Sequence, residues 1–90
     1  MLDFNKTPSF ANGFRFQWEE LQQCYVLLYP EGMIKLNSAA GEILQLVDSQ
    51  KSVNDISNDL RAKFGNADSI EQDVHAFVEE AVENNWIKLS

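Results

Sequence analysis

Between Phe14 and Glu19 apolar and polar residues alternate, with Phe14, Phe16 and Trp18 set against Arg15, Gln17 and Glu19. That is the two-residue period of a half-buried strand. The next run, CYVLLY from Cys24 to Tyr29, is apolar at every position, as expected of a strand covered on both faces. It leads through Tyr29-Pro30-Glu31-Gly32 into a shorter strand over residues 33–36. Pro30 supplies the fixed φ of the first turn position, and Gly32 suits the left-handed position of a three-residue loop. Such a loop pairs Tyr29 with Met33, Leu28 with Ile34, Leu27 with Lys35 and Val26 with Leu36. Side-chain parity then makes Val26, Leu28, Ile34 and Leu36 the core face and leaves Tyr25, Leu27, Tyr29, Met33 and Lys35 on the other.

From residue 37 the apolar spacing becomes helical, and three helices are predicted. Asn37 caps the first, whose inner stripe is Ala40, Ile43, Leu44 and Val47 at i, i+3, i+4 and i+7. After the break DSQKS, Ser52 with Asp55 opens the second, with Val53, Ile56, Leu60 and Phe64 inward and Gly65 at its end. Ser69 with Gln72 is a capping box for the third, which carries a wide stripe of Ile70, Val74, Phe77, Val78, Ala81 and Val82. Asn84-Asn85 stops it, and WIKL reads as a short terminal strand or a clasp anchored by Trp86. Residues 1–12 show no clear period and read as an irregular arm, with residues 13–90 as one domain. Three short strands followed by three helices predict a small α+β domain with a three-stranded antiparallel sheet. The second and third helices, joined by GNADS, have helix-turn-helix spacing, so the expected architecture is winged-helix-turn-helix-like.

Ninety residues suffice for one modest core. No apolar run approaches the roughly 20 residues of a membrane span, and MLDFNKTPSF lacks the basic flank and apolar stretch of a signal peptide, so a cytoplasmic protein is expected. Cys24 is the only cysteine and His75 the only histidine, and no cluster has metal-ligand spacing. Adjacent Glu79 and Glu80 point about 100° apart on a helix and cannot act as a carboxylate dyad. No catalytic residue, metal or cofactor is therefore expected, and the chain does not read as an enzyme. The formal charge is −7, from 14 acidic and 7 basic side chains. A helix-turn-helix invites a DNA-binding regulator as an alternative. Yet the helix that would enter the groove carries Glu71, Asp73, Glu79, Glu80 and Glu83 without one Lys or Arg, which a phosphate backbone repels. The same sign opposes an anionic membrane.

In a three-strand meander the strand at 33–36 has one side unpaired, with Lys35 alone to blunt it. An edge beside a helix with a wide apolar stripe is the setting for strand addition by a guest peptide. Alternatively, the third helix or WIKL covers that edge from within. The aromatic face, with Tyr25, Leu27 and Tyr29, has a parallel choice: the arm with Phe4 and Phe10 covers it, or a second copy does, making it a dimer or partner face.

The block LLYPEGMIKLNSAAGEIL, together with VNDISNDL, Phe64 and DVHAFVEEAVENNW, resembles the PqqD family of pyrroloquinoline quinone biosynthesis. The likeness runs from Phe14 to Trp86. Asp48-Ser49 stands where the family often has Asp-Gly, and Asn85 where Gly usually precedes Trp86; Asn in particular accepts the left-handed conformation such turns require. The resemblance implies a non-catalytic recognition element that binds the ribosomal precursor peptide PqqA and presents it to the radical SAM enzyme PqqE. It further implies a guest strand along Met33, Ile34, Lys35 and Leu36, flanked by Asp73, Val74, Phe77, Val78 and Ala81 of the third helix.

Overall fold

The computed structural model describes residues 2–65 and 67–90; Met1, at the head of the expected arm, and Asn66, within GNADS, lie outside them. Its order is β1 (Pro8–Phe10), β2 (Arg15–Glu19), β3 (Cys24–Tyr29), β4 (Gly32–Lys35), α1 (Ser38–Gln45), α2 (Val53–Phe64), α3 (Asp68–Glu83) and β5 (Ile87–Leu89). The antiparallel sheet β2-β3-β4 followed by three helices is the α+β, winged-helix-like fold the pattern predicts. A second sheet, β1-β5, was not expected. The arm is therefore ordered where it matters. Pro8, Ser9 and Phe10 pair with Leu89, Lys88 and Ile87. Upstream, the carbonyls of Lys6 and Phe4 accept from the backbone N–H groups of Val53 and Asn54 at 3.1 and 2.9 Å, satisfying free amides in the first turn of α2. No period signalled this arm because three paired residues are too few to show one.

The hairpin register differs from the expected one by a single residue on β4. Tyr29 pairs with Gly32, Leu28 with Met33, Leu27 with Ile34 and Val26 with Lys35. The loop thus has two residues, Pro30 and Glu31, and Gly32 is not among the residues of positive φ. Pro30-Glu31 meets the needs of a type I turn without any left-handed residue. The shift exchanges the faces on β3. Leu27, fully buried, belongs to the core with Leu36, and Ile34 and Tyr25 pack against it, whereas Val26 and Leu28 point to the opposite side. The aromatic face, expected to be covered by the arm or by a second copy, is the core face. Phe16 stacks on Tyr25 at 4.7 Å between ring centroids, Phe10 of the arm stacks on Phe16 at 5.8 Å, and Phe14 lies 5.6 Å from Tyr29. Tyr25 also presses on α1: a Cβ at Gly41 would lie 3.1 Å from its Cδ2, so only glycine allows this approach without a shift.

The helices follow their sequence signals closely at two of three starts. The Asn37 side chain accepts from the Ala40 N–H at 2.8 Å, and Ser52 and Asp55 exchange both bonds of a capping box. Gly65 closes α2 at φ 98°. Val47 falls just beyond α1 but packs against the core. At the third start the Ser69–Gln72 box is not used: α3 begins two residues earlier, with Ala67 as N-cap and no side-chain cap. Asp68 and Glu71 in that first turn complement the helix dipole, and Arg61 of α2 reaches them at 3.8 and 3.7 Å. Phe64, expected inward, is 54% exposed. The buried stripe of α2 ends one turn earlier, at Leu60.

Candidate functional site

The outer edge of β4 is open: among the described residues β4 pairs only with β3, and β5 pairs with β1 instead. Which amides face outward follows from the ladder. Leu36 N–H donates to the Tyr25 carbonyl at 3.0 Å, so that pair is hydrogen-bonded across the hairpin. Antiparallel pairs alternate, so Ile34 also faces β3, while the N–H and C=O of Met33 and Lys35 turn outward.

Beside this edge runs a cleft of about 320 Å³. Ile34, Lys35 and Leu36 form its sheet wall; Asp73, Ala76, Phe77 and Glu80 line it from α3, and Ala39, Ala40 and Ile43 from α1. Trp86 closes one end. Its placement is local chemistry at the end of α3. Asn85 adopts φ 62°, its N–H bonds the Val82 carbonyl at 3.0 Å, and Trp86 N–H bonds the Ala81 carbonyl at 2.8 Å. These are the paired bonds of a Schellman stop, with Asn in the left-handed place that glycine more often fills. The motif turns the chain so that Trp86 meets Phe77, ring centroids 6.3 Å apart.

Of the residues singled out in the sequence, Ile34, Lys35, Leu36, Asp73 and Phe77 come together in the cleft. Met33 lies at the same edge, 40% exposed, outside the lining. Val74 is buried and borders a neighbouring groove, while Val78 and Ala81 are core residues, 1% and 0% exposed. Leu27 is likewise wholly interior, and Tyr25 and Tyr29 are half-buried. Sequence reasoning missed Ala76, Glu80 and the α1 residues. The first two stand three and seven places after Asp73, the spacing of one helix flank, so the signal was available once Asp73 and Phe77 were taken together. Nothing in the pattern of α1 tells which flank meets β4.

The cleft is apolar at its floor and charged at its rims. Lys35 stands on the edge strand, Asp73 and Glu80 across from it, and none of the three enters an ion pair among the described residues. His75, on the other flank of α3, stacks on Phe4 at 3.8 Å and 7°, holding the arm to the helix. The half-buried Cys24 borders a separate pocket with Trp18, Tyr25 and α1. Among the described residues no three of His, Cys, Asp or Glu cluster as a metal-binding set. Among the described residues no helix is long and apolar enough to cross a membrane. The arrangement offers main-chain donors and acceptors beside an apolar trough, which is a surface for binding an extended chain.

Comparison with known proteins agrees with this architecture. The fold matches the solution NMR structure of the PqqD truncation of Methylobacterium extorquens PqqCD, described as a functional, stand-alone RiPP recognition element. The TM-score is 0.80 at 24% identity, over 98% of this chain and 95% of that one. The chain is 51% identical to a protein of Stutzerimonas stutzeri named PqqA binding protein, over 98% of this chain and 96% of the relative. A protein of the same name from Azotobacter vinelandii is 52% identical, over 94% and 92% of the two chains. The family model described as Coenzyme PQQ synthesis protein D (PqqD) matches residues 24–87, from the start of β3 to the start of β5, and the chain belongs to that family.

Proposed function

We propose that this chain is a non-catalytic chaperone of pyrroloquinoline quinone biosynthesis that takes the ribosomal precursor PqqA as an added strand on β4 and presents it to the radical SAM enzyme PqqE. The observation that carries the reading is the unpaired outer edge of β4 beside an apolar cleft. The names of the relatives support the choice of peptide.

The guest backbone meets the outward amides of Met33 and Lys35, and its alternate side chains enter the cleft between Ile34 and Leu36 on one side and Phe77 and Trp86 on the other. Val74, Val78 and Ala81 contribute from behind, as the core that fixes α3 in place. A disordered precursor loses about 2–5 kcal/mol on ordering. Main-chain bonds at about 0.5–1.5 kcal/mol each and apolar burial near 25 cal/mol per Å² offset that loss. The domain lowers no chemical barrier; it fixes the peptide's register and raises its concentration at the enzyme. The reading places the protein in the cytoplasm, where a ribosomal product is met. The acidic outer face of α3 makes duplex DNA a poor alternative guest.

An amide titration with synthetic PqqA tests this. The largest shifts are expected at Met33 to Leu36 and along Asp73 to Glu80. Shifts confined to the arm ahead of β2 would rule the reading out.

A further inference from the structure

The apolar surface does not end with the cleft. Ala39, Ile43 and Asp73 line it and also line a second groove of about 320 Å³, whose other walls include Leu60, Phe64, Ile70 and Val74. The two depressions thus share one wall, made by α1 from Ala39 to Ile43 and by Asp73 of α3. Phe64 stands at the second groove with 54% of its surface exposed, one turn beyond the buried Leu60. A large exposed ring joined to an apolar trough is the kind of patch that gains from being covered. The rim carboxylate of Glu42 is already engaged by Lys63 at 2.9 Å, which leaves Asp73 on the shared wall as the groove's carboxylate outside an ion pair among the described residues.

We propose that this groove holds the stretch of the guest peptide just N-terminal to its added strand, seating one bulky apolar side chain against Phe64 and Ile70. The inference rests on the strand-addition reading and deepens it. Chain direction selects the flank. β4 runs through Asn37 directly into α1, so a guest antiparallel to β4 has its own N-terminal end beside Ser38 and Ala39. Two further extended residues, spanning about 7 Å, carry it across the shared wall. Continuity of the two depressions makes the same peptide the occupant. The groove then acts as a second point of recognition and sets the guest's register: hydrogen bonds to Met33 and Lys35 fit any extended chain in two-residue steps, whereas a side-chain pocket at a fixed distance does not.

The experiment is fluorescence anisotropy with synthetic PqqA, comparing the native protein with Phe64→Ser, Phe64→Leu and Lys35→Pro. Phe64→Ser is expected to weaken binding about tenfold, and Phe64→Leu no more than about twofold. A peptide lacking the residues N-terminal to the bound strand should not distinguish Phe64→Ser from the native protein. Equal affinity of Phe64→Ser for the whole peptide overturns the proposal. So does an undiminished difference with the shortened peptide, or a Phe64→Ser variant impaired only in retaining the radical SAM enzyme, which would assign the groove to that partner. Native binding that falls with Phe64→Ser and is untouched by Lys35→Pro would remove strand addition while leaving the groove in place, so the two readings fail separately.

Discussion

β2 and β4 are both edge strands of one sheet, and each turns the amides of two residues outward. On β4 they belong to Met33 and Lys35; on β2 the same alternation assigns them to Phe16 and Trp18. What lies alongside differs. The β4 edge faces apolar flanks of α1 and α3 across a trough, with Trp86 at its end. No residue of β2 lines that trough. The β2 edge carries Arg15 and Glu19 at its two ends, and the Trp18 indole N–H is held by Glu20 at 2.8 Å. Charges of this kind blunt an edge. The comparison teaches that unpaired main-chain groups are insufficient for a peptide site. A guest strand also needs somewhere dry for its alternate side chains, and β4 has that beside α3.

The largest effect that tests this contrast is on stability, because both edges inherit their outward amides from the register of β3. Leu27→Ala should cost about 2–5 kcal/mol, and Leu28→Ala clearly less, by denaturant unfolding. A larger cost at Leu28 than at Leu27 would return the hairpin to the three-residue loop and exchange the roles of the edge residues. Next in size is the edge itself. Lys35→Pro removes an outward N–H without touching the ladder and should weaken PqqA about tenfold, while Lys35→Ala stays within about threefold. The matching change on β2, Trp18→Pro, should leave peptide affinity unchanged; a comparable loss there would erase the distinction between the edges. The smallest effect concerns the cleft's closing wall. Asn85→Gly keeps the left-handed stop and should raise stability by about 0.5 kcal/mol with unaltered affinity, whereas Asn85→Ala should lower it by about 1 kcal/mol. A gain from alanine would show that Trp86 does not depend on that φ.

Much of the candidate site was legible as a set of parts. The alternation in β2, the stripes of α2 and α3, and the position of Trp86 after an Asn pair all follow from local pattern. Phe64 was misjudged for a reason internal to the pattern: it occupies an inward position by spacing, but α2 outruns the surface it packs against, so its last turn projects past the core. The unused Ser69–Gln72 box is similar. The sequence allows a start there, and Arg61 of another helix favours one two residues earlier.

Local chemistry alone determined where α1 and α2 start and where α2 and α3 stop, because Asn37, Ser52 with Asp55, Gly65 and Asn85 act on amides and carbonyls within a few residues of themselves. It also determined that β2, β3 and β4 form a meander, since their connections are too short for anything else. The hairpin register was decided only in three dimensions. Tyr-Pro-Glu-Gly locally favours the three-residue loop, because an unprimed two-residue turn splays the strands, and burial of Leu27 under the helices overrides that preference. The same holds for β1, which exists because β5 is there to pair with it, and for the trough beside β4, whose walls come from three segments that no sequence spacing relates.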